Sequence, residues 1–317
     1  MDKKTFGQKV TVLSIKVDFH GFWSMSKDDF LGLPFVKALP FTKVSVSKLM
    51  PKVVFYSVMS DDLLKLKKTS RKVVFFTGED VEYNHPKFWN YCLDKTDLSL
   101  GFKYEPELGN PSNYIRYPLW LCYFFPFTLD KDIIKRQVDK FSLQTSERVK
   151  KFCMVASHDQ NDVRRKIVQM LHEKGGYCVN SAGALLHNDD DLKTKFADNK
   201  VEYLKQFLFN ICPENVSSSG YTTEKIFESF LAGCIPIYYG SNGVPEKDVI
   251  NQNSLILWNE SNDDEVLYKI NEFCNNEKFR NEFRNQKPLL ESAVDYIYER
   301  HFLLREKYEE ILLKCQR

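Results

Sequence analysis

Apolar residues fall into short dense runs separated by polar, helix-periodic stretches. Residues 10–17, 53–58 and 72–76 are β-branched and aromatic, with the length of buried strands. The third run stops at Thr77-Gly78-Glu79-Asp80, a turn signal. Residues 114–125 form another apolar stretch, broken by proline. Its Tyr114, Tyr117 and Trp120 read as a packed aromatic strand, although such rings also stack on sugars. Residues 130–150 are charged, free of Gly and Pro and helix-like, and read as the crossing between two halves.

A second series of units follows. Residues 152–156 read as a strand and 157–161 as a polar loop. Asp162 is placed to cap a helix over 163–173 that ends at Gly175-Gly176. A helix over 202–207, a strand over 208–212, a helix over about 223–232 closed by Gly233 and a strand over 235–239 come next. Residues 265–273 and 293–313 are helical in pattern. Alternating strands and helices predict an α/β fold with mainly parallel sheets, and 317 residues suit two domains. Ligands of such sheets bind beyond the carboxyl ends of strands. Attention therefore falls on the loops after Phe76, Ala156 and Cys212.

Charge removes one class of partner. With 45 basic and 43 acidic residues the net charge is +2, which gives no electrostatic case for nucleic acid. The eight cysteines form no C-x-x-C pair and no zinc spacing, and read as buried reduced thiols; the six histidines show no metal spacing either. The run Asp189-Asp190-Asp191 reads as a solvated loop rather than a metal site. Residues 1–9 are polar and unlike a signal peptide, and no apolar run reaches membrane-spanning length, so a soluble cytoplasmic protein is expected. The sequon Asn215-Val216-Ser217 agrees, since a secretory lumen would expose that asparagine to glycosylation.

Candidate chemistry gathers in residues 211–240. A strand gives way to a loop rich in Ser, Gly and Asn, and Thr222 or Thr223 starts a helix. Free N–H groups and the dipole at such a start favour an anion such as phosphate. Lys225 lies in that first turn, where a lone cation is unfavourable by ~0.3–1 kcal/mol and an anionic ligand would reverse the sign. A solvent-facing lysine would look the same. Arg164 and Arg165 repeat the anomaly at the helix start near 163; a solvated face is the plainer reading of Arg165. Glu79, at a strand end, is placed to act as a general base, but two adjacent acids equally read as a turn capped by Asp80, and position alone favours the turn.

The run Cys212, Glu214-Asn215, Gly220-Tyr221, Thr223-Glu224-Lys225-Ile226-Phe227 and Ile235-Pro236-Ile237-Tyr238 through Gly240 closely resembles the donor-binding motif of the α-1,3/4-fucosyltransferases, glycosyltransferase family 10. Thr77-Gly78-Glu79, Leu100-Gly101-Phe102, residues 114–119 and 157–164 are similar to further stretches of that family. The resemblance implies a GT-B architecture, two Rossmann-like domains around an active-site cleft. It implies residues 1–148 as acceptor domain and 149–292 as donor domain, with the helix at about 293–317 packing back on the first. It implies GDP-fucose as donor, inversion at the anomeric carbon, and an N-acetylglucosamine or glucose unit of a lactosamine-type or other glycan as acceptor, in protein glycosylation or lipopolysaccharide O-antigen synthesis. Glu79 matches the catalytic base, Arg164 and Lys225 the diphosphate ligands, and Asn215, Tyr221 and Glu224 further donor contacts. No metal and no cofactor is required on this reading; stimulation by a non-essential divalent cation and peripheral attachment at the inner membrane face are compatible with it. Asp80 departs from an asparagine in bacterial members, and Pro213 from a common aromatic. Three alternatives remain: a transferase of the same build with another GDP-deoxysugar, a metal-dependent GT-A enzyme, and a non-enzymatic sugar-binding module, which gives no reason for a base facing a diphosphate clamp.

Overall fold

The computed structural model describes residues 14–67, 69–143 and 148–313. Six strands form the first sheet: β1 (Ser14–His20), β2 (Lys43–Val46), β3 (Val53–Tyr56), β4 (Lys72–Phe76), β5 (Leu98–Gly101) and β6 (Tyr114–Arg116). Their order is β2-β1-β3-β4-β5-β6, all parallel. Five strands form the second: β7 (Lys150–Met154), β8 (Val179–Ser181), β9 (Phe207–Ile211), β10 (Ile235–Tyr238) and β11 (Ile256–Leu257), in the order β11-β10-β9-β7-β8, again parallel. Every residue of β3 and β10 is buried, as expected for parallel strands covered on both faces, and this explains their unbroken apolar runs.

Both sheets share one winding. The first strand of each lies between the second and the third, so the chain reverses direction there. A crevice opens beyond the carboxyl ends at such a point. The two crevices lie between β1 and β3 and between β7 and β9.

Several expected elements have the observed bounds, among them β4 and the helices Val163–Glu173 and Ala293–Leu313. The first strand runs over Ser14–His20, and residues 10–13 of the expected strand lie outside the described residues. The stretch 114–125 is not one strand. It ends as strand at Arg116, and Pro118 (φ −67°) then precedes a helix over Leu119–Phe124. Proline brings no N–H to a ladder, and its fixed φ suits a helix entry. The helix expected over 130–150 is confined to Lys131–Val138, and residues 144–147 lie outside the described residues.

Aromatic packing joins the halves. The Trp120 ring stacks on Phe227 of the second half at 4.7 Å. The helix Ala293–Leu313 follows the second sheet in sequence but bonds to the first half: Arg305 Nε donates to the Ala38 carbonyl (2.7 Å), and Arg300 pairs with Glu105 (2.7 Å).

Candidate active site

The crevice of the second sheet is bridged by Arg164. Its backbone sits at the start of the helix Val163–Glu173, and its guanidinium reaches across to the loop after β9. It donates to the His158 carbonyl (2.9 Å), the Pro213 carbonyl (3.0 Å) and Asn215 Oδ1 (3.0 Å). All three acceptors are neutral, so the charge of this buried side chain has no direct counter-ion among them. Burial draws its pKa below the usual arginine value, while Asp159 and Glu214 work against that fall. The expected cap at Asp162 is corrected. That residue is held at φ +53°, and its side chain caps nothing. Asp159 does the work instead, accepting from the N–H groups of Arg164 (3.1 Å) and Arg165 (2.8 Å). Arg165 is exposed and pairs with Asp159 and Asp162, in keeping with the solvated reading.

The second feature is a buried carboxylate beneath the helix Glu224–Leu231. Glu214, its side chain fully buried, accepts from Thr223 N (2.8 Å), from Thr223 Oγ1 and from Lys225 Nζ (2.8 Å). Lys225 is therefore neither solvent-facing nor unpaired. Burial opposes its ammonium, but Glu214 and then Glu224 outweigh that and hold the pKa above the ordinary lysine value. Thr223 takes the N-cap position, yet its hydroxyl turns to Glu214 rather than capping the helix. The helix start is thus left without its usual side-chain cap, next to Lys225.

The first sheet supplies Glu79, two residues beyond the turn-forming Thr77 whose hydroxyl accepts the Glu79 N–H (3.0 Å). Burial raises the Glu79 carboxyl above its ordinary range; Lys225 opposes the rise, Glu224 and Glu214 add to it, and the Trp23 indole beside it opposes it again. Three charged groups of the second half, Lys225, Glu224 and Glu214, thus act electrostatically on a carboxyl of the first. Asp80 is fully buried. Its Oδ1 caps Glu82 N (3.1 Å) and Tyr83 N (2.7 Å), and its Oδ2 accepts the Ser218 hydroxyl across the cleft (2.6 Å).

The loop between β9 and the helix Glu224–Leu231 is seated in the first half. Val216 and Tyr221 pack inside a small core made otherwise of first-half residues. The Tyr221 ring meets Phe102 edge-on at 4.9 Å. Buried Arg116, from β6, donates to the Gly220 carbonyl (3.0 Å), to the Phe102 carbonyl (2.7 Å) and to both oxygens of buried Glu246 (2.7 and 3.0 Å).

Of the sequence candidates, Glu79, Arg164, Asn215, Glu224 and Lys225 come together around the facing loops, and Tyr221 stands behind them, buried. Glu214, Asp159 and Arg116 were missed as site-builders. Glu214 lies inside the matched motif, but its role depends on Thr223 and Lys225 folding back over it. Asp189 overturns the solvated-loop expectation. It is turned inward and accepts from Asn180 Nδ2 (2.9 Å), Tyr203 OH (3.1 Å) and Asp191 N (2.8 Å). Among the described residues no three His, Cys, Asp or Glu side chains converge as a metal site would require.

Two parallel sheets with their carboxyl ends turned toward each other form a GT-B-like architecture. A solved α1,3-fucosyltransferase shares it, with a TM-score of 0.66 over 93% of this chain and 92% of that one at 19% identity. The same enzyme class solved with GDP-fucose gives 0.63 over 96% and 94%, also at 19% identity. The model of the alpha-(1,3)-fucosyltransferase FucT N-terminal domain matches residues 17–123, and that of the glycosyltransferase family 10 (fucosyltransferase) C-terminal region matches residues 145–308. The chain belongs to glycosyltransferase family 10. Alpha-(1,3)-fucosyltransferase FucT of Helicobacter pylori is 27% identical over 197 residues, 55% of this chain and 38% of that protein. Alpha-(1,3)-fucosyltransferase B of Drosophila melanogaster is 26% identical over 117 residues, 34% of this chain and 26% of that protein. The chain thus aligns with well under half the length of these relatives. The two-sheet fold sets the GT-A alternative aside. No helix of the described residues is long and apolar enough to cross a membrane.

Proposed function

We propose that this protein transfers L-fucose from GDP-fucose to a hydroxyl of an N-acetylglucosamine or glucose unit in a lactosamine-type or other glycan, forming an α-1,3 or α-1,4 linkage with inversion. The first half, residues 1–148, holds the acceptor; residues 149–292 hold the donor; the terminal helix braces the first half. The observation that carries the reading is the confrontation of Glu79, a half-buried carboxyl with a raised pKa, with Lys225 from the opposite sheet, which in turn lies within electrostatic reach of Arg164.

The step is a direct displacement. The Glu79 carboxylate takes the proton of the acceptor hydroxyl as that oxygen forms a bond to the fucose anomeric carbon. The bond from that carbon to the diphosphate breaks on the opposite face, and its electron pair leaves with GDP. Negative charge then grows on the diphosphate. Arg164, bound only to neutral acceptors, and the uncapped helix start beside Lys225 stabilise it. These fixed positive groups make a catalytic metal unnecessary on this reading. Asn215 orients Arg164, and Tyr221 and Glu224 border the donor.

Glu79→Gln tests the assignment. We expect kcat to fall by ~10²–10⁴ with GDP affinity by calorimetry close to that of the wild type. Near-normal turnover would refute the base. A donor panel of GDP-fucose against other GDP-deoxysugars decides the sugar.

A further inference from the structure

The turn after β1 carries an unusual residue. Gly21 (φ +75°) lets the chain fold tightly against β3: a Cβ there would lie 2.6 Å from the Ser57 carbonyl. Phe22 then enters the core, while Trp23 is held at φ +40° with 43% of its surface exposed. Left-handed backbone is costly for a bulky residue, and such strain gathers at functional sites. An exposed indole returns little of that cost through burial. Trp23 stands beside the Glu79 carboxyl.

Across from it is Tyr123, 62% exposed, on the helix Leu119–Phe124. Between the two rings lies a cavity of about 450 Å³, floored by Phe76 and Leu119 and rimmed by Asp28 and Asp29. Leu119 also touches the Glu79 turn, since a Cβ on Gly78 would meet its Cδ1 at 2.7 Å. The cavity therefore adjoins the base. Its size falls within the ~300–1,000 Å³ of small-ligand sites, and apolar walls with a few polar groups are the usual composition. No lysine or arginine lines it.

The distribution of exposed aromatics points the same way. Among the described residues, Trp23, Tyr83, Trp89 and Tyr123 follow strands of the first sheet, and only Tyr268 belongs to the second half. The apolar C–H face of a pyranose packs against such rings, and its hydroxyls donate to carboxylates, which only accept. An anionic ring would instead meet the Asp28 and Asp29 charges in a cavity whose lining carries no lysine or arginine; Lys225, which acts on Glu79, lies outside that lining.

We propose that the cavity between Trp23 and Tyr123 is the subsite for the acceptor ring whose hydroxyl meets Glu79, and that it selects an uncharged sugar over an anionic one. The proposal rests on the reading of Glu79 as the base. Trp23 and Tyr123 supply the stacking faces; Asp28 and Asp29, whose Oδ2 already accepts from Ser26 Oγ (2.6 Å), accept hydrogen bonds from ring hydroxyls and repel sulfate, phosphate or carboxylate on the same ring.

The test uses the best neutral acceptor from a lactosamine panel, together with its counterpart sulfated on the reacting N-acetylglucosamine. For Tyr123→Ala we expect the acceptor KM to rise about three- to tenfold, the range of one aromatic contact, with GDP affinity and acceptor-free donor hydrolysis unchanged. Trp23→Ala should raise the KM at least as much, and Trp23→Phe should recover part of it. Asp28→Asn combined with Asp29→Asn should narrow the preference for the neutral over the sulfated acceptor several-fold. Unchanged acceptor KM in Tyr123→Ala, or an unchanged preference in the paired asparagine variant, would overturn the subsite while leaving transfer and the Glu79→Gln defect intact. A wild-type protein that uses no acceptor of the panel would fail the functional reading and this subsite together.

Discussion

Removing the Lys225 charge should unmask what Glu214 costs. In Lys225→Met the fully buried carboxylate keeps only neutral donors, Thr223 N at 2.8 Å, Thr223 Oγ1 at 3.0 Å and, more distantly, Tyr238 OH at 3.4 Å. Breaking a buried ion pair costs ~3–5 kcal/mol. Lys225 is one-fifth exposed, so water can approach the gap, and the neutral donors remain. We therefore expect a loss near the lower bound, ~2–3 kcal/mol at pH 8 by urea denaturation. Lys225→Met with Glu214→Gln removes both charges and should recover most of the loss at pH 8. Neither variant should bind GDP as the wild type does, because both lack the cation. A loss under ~1 kcal/mol in the single variant, or a double variant no more stable than the single, would refute the claim that Lys225 neutralises Glu214.

Three further outcomes are expected. Because burial raises the Glu79 carboxyl and the base must be ionised, kcat/KM should fall with decreasing pH through a pKa above the ordinary 4.5, and this limb should vanish from the residual activity of Glu79→Gln; a limb at or below 4.5 counts against it. Arg164→Ala should weaken GDP binding by roughly tenfold or more in calorimetry, the scale of one charge-assisted hydrogen bond; unchanged affinity refutes its role. Arg116→Met strands buried Glu246 and frees the Gly220 carbonyl, so urea denaturation should show a loss of ~3–5 kcal/mol, and a loss below ~1 kcal/mol would show the pair to be expendable.

What was legible in the sequence depended on the range of the interaction. The helix Val163–Glu173 emerged with its bounds intact because periodicity and a Gly-Gly stop are local signals. Arg164 and Lys225 stood out because a cation in a first helical turn is a local anomaly. What answers that anomaly is not local: Glu214 lies eleven residues before Lys225 and becomes its partner only after the loop turns back. The cap at Asp162 failed for a similar reason. The residue just before a helix is the natural candidate, but at φ +53° its side chain points elsewhere, and Asp159 reaches both free N–H groups. Strands β2, β5, β8 and β11 escaped notice because two to four residues carry no period of their own. Glu79 could be singled out only through the family resemblance, since an acid at a strand end is as often a plain turn.

The seating of Val216 and Tyr221 in the small core of the first half bears on how this protein can be recombined. The halves are not interchangeable modules. A chimera that joins residues 149–313 to a foreign first half inherits a sheet but not the cradle of Phe102, Asp80 and Arg116 that shapes the loop before Thr223. Exchange of the first half between relatives must therefore carry that cradle along, or be confined to loops, such as the turn at Trp23, that lie outside it.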